Sequence, residues 1–194
     1  MRRHLYAAAA LLLAAGCAVG VAVGCGSRAD EEGRGRVTEL PQPGPELSKE
    51  LMLGLSLAKN YHHKADVYLM EARVEQAVAA VRQILTIQFP PGSAEGEDIV
   101  HDARARLAKL LVTQGQLDEA LVVVDKGIAG TTRESFFVAN LHTTRGEVLE
   151  ARAVQIEDRD KTAAATARRE ANASYDKAIA IEKALLEELA GGDE

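Results

Sequence analysis

The chain has 194 residues, a formal net charge of −6 and 47 % hydrophobic residues, but no tryptophan and only 4 % aromatics. Ala, Leu, Glu and Arg dominate, which favours helices over a β-sandwich or barrel. An acidic surface repels phosphate backbones, and no Lys/Arg block interleaved with aromatics offsets it, so nucleic acid is excluded as the expected ligand.

Met1-Arg2-Arg3-His4 is a positive start, and the stretch from Leu5 to Gly24 carries no charge. An apolar run with arginines before it reads as an export signal or a membrane helix, and either one turns the residues after Cys25 outward. Gly16, Gly20 and Gly24 form a small-xxx-small ladder suited to helix dimerisation if the run is retained. Both cysteines of the chain lie here, each preceded by glycine, in Ala14-Ala15-Gly16-Cys17 and Ala22-Val23-Gly24-Cys25. These sites resemble the lipobox of bacterial lipoprotein precursors, whose cysteine becomes diacylated and N-terminal, although both have Ala where Leu is usual. Cys17 would leave the apolar start "AVGVAVGCGS", whereas Cys25 is followed by "GSRADEEGRGR", which cannot stay in hydrocarbon. The expectation is therefore a signal peptide over 1–24 and lipidation at Cys25, with Cys17 and an uncleaved leader as the alternatives. The resemblance implies a cell-envelope protein, lipid-anchored in the outer membrane and facing the periplasm. Cleavage before Cys25 takes away Arg2 and Arg3 and moves the charge from 23 − 29 = −6 to 21 − 29 = −8. It also leaves no thiol except the acylated one, which excludes disulfides, a thiol nucleophile and cysteine metal sites. The glycines, prolines and charges of 26–45 then read as a disordered tether, spanning roughly 25 Å as a flexible coil.

From Glu46 the apolar period becomes helical and stays so to Leu189. The first helix is expected to begin near Ser48, and Tyr61, Ala65, Tyr68, Ala77, Val81 and Ile84 mark a helix pair closed by Phe89-Pro90-Pro91. "PPGSAEGED" follows as an expected loop, flexible or facing a ligand. In "LAKLLVTQGQLDEALVVVDKGI", small residues at Ala108 and Ala120 let two helices approach closely, and Gly115 permits the turn between them. Thr131 and Glu134 read as a capping box for a helix carrying Phe136, Phe137, Leu141, Val148 and Ile156. That helix is expected to turn in "EDRD" and return through Tyr175, Ala178, Ile179 and Leu185.

The stretch around Gly115 is similar to the tetratricopeptide repeat (TPR), with one copy of about 34 residues placed from His101 to Glu134. A second copy lies upstream at an offset of 43 residues, and a more divergent third lies downstream, so that the resemblance covers roughly 58–190. It implies an all-α fold over 46–190: a short TPR-like α-solenoid of antiparallel helix pairs ending in a long helical hairpin. A generic bundle of antiparallel helices is the alternative.

Carrying over the family's inner-face positions puts Lys59, His62, Asp66, Leu69 and Met70 on the first repeat's groove face. Asp102, Ala105, Lys109, Val112 and Thr113 follow from the second, then Phe136, Ala139, Thr143 and Glu147 from the third. A protein partner in the envelope is expected to bind there, through Lys59, His62, Asp66, Asp102, Lys109 and Thr143. His62 and Asp66, four apart on one helix face, could share a hydrogen bond or two positions of a metal site, but no third ligand completes one. No phosphate loop, nucleophile elbow or zinc signature is present, so no catalytic residue, metal or cofactor is expected and the chain reads as a non-enzyme. TPR lipoproteins serve as assembly factors for envelope machines, which is the role the resemblance implies. The alternative is a structural module that self-associates as a homodimer through the hairpin from Phe136 to Leu189.

Overall fold

The computed structural model describes residues 48–191, which form six helices: α1 (Lys49–Met70), α2 (Val74–Ile84), α3 (Ala94–Thr113), α4 (Leu117–Ala129), α5 (Phe136–Ile156) and α6 (Lys161–Gly191). Among the described residues there is no strand, and no helix is long and apolar enough to cross a membrane. The leader, Cys17, Cys25 and the tether lie outside the described residues.

Ser48 starts α1 by accepting a hydrogen bond from the Leu51 amide, relieving one of the unpaired donors of the first turn. The first two hairpins then turn by one device. Gly115 has φ 72° and Ala72 has φ 56°. In each turn the next residue's amide reaches back to close the helix, Gln116 to the Leu111 carbonyl and Arg73 to the Tyr68 carbonyl. The two turns lie 43 residues apart. Gly115 adopts the left-handed region freely, while Ala72 carries a strain of roughly 1–2 kcal/mol.

Each helix packs against the next in the chain, and α1, α3 and α5 also touch in succession. Among the described residues α2, α4 and α6 do not pack on one another. The main core is built from small side chains, Ala58, Ala65, Ala77, Ala103, Ala108 and Ala120, all fully buried, with Val81, Ile84, Leu111, Val124 and Leu141 filling the space between. Alanines at helix crossings bring backbones close, and each fully buried Ile or Leu contributes about 1.5–3 kcal/mol of transfer free energy. Two smaller cores hold the α5–α6 hairpin, one around Val138, Ala139, Ala178 and Ile181, the other around Ala153, Ala164 and Ala167.

Three expectations need correction. α2 ends at Ile84, before Phe89. Phe89 instead fills a wedge between α1 and α3, where a Cβ on Gly54 would sit 2.9 Å from its ring and one on Gly96 2.6 Å from its Cβ. The "PPGSAEGED" loop is shorter than expected, because Ser93 caps α3 through the Gly96 amide and Glu95 and Glu97 favour the helix's positive N-terminal end. The helix containing His101 therefore starts seven residues before it, at Ala94. The capping box is the third: Ser135, not Thr131, caps α5 by accepting from the Val138 amide. Thr131 donates to the Gly127 carbonyl at the end of α4, and Glu134 pairs with Lys177 at 2.9 Å.

Candidate functional site

The side chains expected to line a groove fall along α1, α3 and α5, the three helices that touch in succession. His62 and Asp66 are on one face of α1 and do not bond to each other. Both turn to Arg106 of α3, whose guanidinium approaches the His62 Nδ1 at 3.1 Å and donates to the Asp66 carboxylate. Asp102, one turn before Arg106, lies 3.4 Å from the His62 Nε2. Lys109, further along α3, reaches across to Glu147 of α5 at 3.2 Å. A polar row thus ties α1 to α3 and α3 to α5.

The protonation of His62 follows from its partners. Arginine only donates, so Nδ1 must be the unprotonated acceptor and the proton sits on Nε2, toward Asp102. Burial holds the His62 pKa below its usual value, with Asp102 pulling it up and Arg106 pushing it down again. The ring is neutral at pH 7. Its Nε2 is enclosed without an aligned hydrogen bond, the 3.4 Å approach to Asp102 being close but poorly directed.

A second cluster pins the α4–α5 connection onto the start of α3. Glu97 accepts from the amide and the hydroxyl of Thr132, and Asp98 binds Arg133 at 2.5 Å. Burial opposes the charge on Glu97, but the Thr132 and His101 contacts outweigh it and bring the carboxyl below its usual range. His101 is almost fully buried beside Glu97, and burial lowers its pKa.

The remaining expected positions divide. Lys59 is exposed and has no ion pair among the described residues, and Thr143 is partly exposed on α5 between the levels of Ala139 and Glu147. Ala105 and Ala139 do not line a groove: both are core residues, at 1 % and 0 % exposure. Lys109 pairs with Glu147, itself an expected groove position, while Asp66 is held by Arg106. Arg106, which joins His62 and Asp66 to α3, is the member of the row that sequence reasoning missed. It lies four residues after Asp102 and three before Lys109, on the same helical face, and that spacing was the available signal. Among the described residues no cluster of three His, Cys, Asp or Glu is placed to hold a metal ion.

No protein-family model, curated protein sequence or solved structure matches the chain.

Proposed function

We propose that the chain is a lipoprotein of the bacterial envelope, anchored through acyl chains on Cys25, whose helical body is a TPR-like α-solenoid that holds a protein partner along α1, α3 and α5. The observation that carries this reading is the polar row itself: His62, Asp66, Asp102, Arg106, Lys109 and Glu147 come from α1, α3 and α5, which touch in that order, and are joined by contacts between them. Two others support it. The helix contacts run in an order that a solenoid requires, and the turns at Ala72 and Gly115 repeat the same bonds at an offset of 43 residues. A partner segment laid on such a row would compete first for the exposed Lys109–Glu147 pair, worth about 0–1 kcal/mol, while the part-buried Arg106 contacts stay in place.

The test is partner capture from envelope extracts with Lys109→Glu, which puts like charge beside Glu147. Lys126→Glu, on the exposed side of α4, is the control. A stoichiometric partner should be lost from the first variant and kept by the second. Equal recovery from both would mean that the row is not the binding surface.

A further inference from the structure

The joint between α1 and α3 has two parts. Toward the start of both helices it is apolar, the Phe89 side chain lying between Gly54 and Gly96. About two turns further along it is polar. There Arg106 of α3 spreads its guanidinium over α1, Nη1 approaching the His62 Nδ1 at 3.1 Å and Nη2 donating to Asp66, while Asp102 lies 3.4 Å from the His62 Nε2. The His62 ring is thus an acceptor on one side and a donor on the other, held between a cation and a carboxylate of the same neighbouring helix. Its side chain is 17 % exposed, so a proton reaches it without unfolding.

The groups around the ring decide what a proton does there. Burial opposes the charged ring most; Asp102 favours it, Arg106 opposes it, Asp66 favours it and His63 opposes it, and the balance lowers the His62 pKa. Lys59, one turn earlier on α1, is exposed. α2, which also packs on α1, carries Glu75, which is exposed, and Arg82, which is turned to Glu119 of α4. A protonated imidazole has no acceptor atom, and its Nδ1–H would face the N–H groups of a like-charged guanidinium. The Arg106–His62 contact and a proton on Nδ1 therefore exclude each other. Asp66 holds the other edge of the guanidinium and takes no part in that exclusion.

We propose that His62 is a proton-operated switch for Arg106: the neutral ring occupies the Nη1 edge of the guanidinium, and protonation turns the ring to Asp102 and vacates that edge. The Asp66 pair keeps Arg106 in the row in both states, so what changes is the hydrogen-bonding edge it offers rather than its place. The row gains one positive charge at the same time. A carboxylate on a partner is the acceptor that fits a free guanidinium edge, so capture of such a partner tightens as pH falls through the His62 pKa. That consequence rests on the proposed function. The switch itself does not, and it is read in the chain without a partner, so the two fail separately.

Residues Gly44–Glu194 form one compact unit holding all three apolar cores, so this fragment serves for nitrogen NMR of the His62 ring and the Arg106 guanidinium. At neutral pH the ring should carry its proton on Nε2. On acidification it should titrate below the ordinary histidine value of 6.5, and the Arg106 Nη signals should shift with the same midpoint while circular dichroism stays constant. His62→Gln keeps an acceptor side chain at every pH and leaves His63 in place, so it should make the Arg106 signals independent of pH over that range. Asp102→Asn should lower the His62 midpoint, and Arg106→Met should raise it. Arg106 signals that stay constant through the His62 titration would overturn the proposal, as would signals that move equally in His62→Gln, a neutral ring protonated on Nδ1, or a loss of helix at the same midpoint.

Discussion

Gly146 of α5 lies against the ring of Tyr175 on α6 so closely that a Cβ there would stand 2.5 Å from Cε1 and 2.6 Å from Cζ. Ordinary contact begins at 3.4 Å, so Gly146→Ala forces the ring back by about 1 Å, straining the 3.0 Å hydrogen bond that the Tyr175 hydroxyl donates to Glu150. Overpacking of this kind costs about 1–3 kcal/mol, while replacing glycine by alanine inside a helix returns about 1 kcal/mol. The net expectation is a loss of about 1 kcal/mol, seen as a fall of roughly 2–4 °C in Tm for a chain of this size. Thermal unfolding of four proteins decides it: wild type, Gly146→Ala, Tyr175→Ala and the double variant. Tyr175→Ala removes every ring atom that the new methyl meets, so in that background Gly146→Ala should stabilise by about 1 kcal/mol, the helix propensity alone. A change of the same sign and size in both backgrounds would refute the reasoning.

Ala120 is fully buried in the main core, and Ala120→Leu should destabilise by about 1–3 kcal/mol in a urea melt, an unchanged midpoint meaning that the α3–α4 crossing has room to spare. Burial lowers the pKa of His62, His101 and His142, so the unfolded chain binds more protons than the folded one below the usual histidine value, and stability should fall as pH drops from about 7.5 to about 5.5. Identical Tm values at the two ends of that window would contradict it. Arg106→Met should unfasten His62 and Asp66 together, raising amide exchange in the facing turns of α1 while the core of α4 is unaffected; exchange that rises equally in both would deny Arg106 a local role. Cys25→Ala should abolish labelling of the full chain by a radioactive fatty acid and Cys17→Ala should not, and the reverse pattern would move the anchor to Cys17.

What the sequence made legible was whatever local chemistry decides. Ser48 begins a helix because its hydroxyl caps it, Gly115 turns the chain because it tolerates positive φ, and the charged Glu157–Asp160 stretch breaks the terminal hairpin as expected. Ala72 makes the Gly115 turn without glycine, so composition gave no sign of it. The start of α5 was misplaced by competition among neighbours: Thr131 and Ser135 are both good caps, and long-range bonds from Thr132 to Glu97 and from Ser135 to Asp98 decide between them. Partners across helices were the least legible part. The resemblance put His62, Asp66, Asp102 and Lys109 along α1 and α3, but which cation meets which carboxylate depends on a side chain, Arg106, that the resemblance does not mark.

Phe89 is neither a helix residue nor an exposed loop tip, yet its ring and Cβ occupy the space between Gly54 of α1 and Gly96 of α3. The distance between those two helices at that end is therefore set by the thickness of one aromatic side chain. Leu111 and its alanine neighbours fix the spacing elsewhere along α3. A smaller side chain at position 89 would let the two helices converge at the Phe89 end alone, and the row of α1, α3 and α5 would bend. The curvature of the α1, α3 and α5 face, the proposed binding surface, is thus adjustable at a single position outside the polar row.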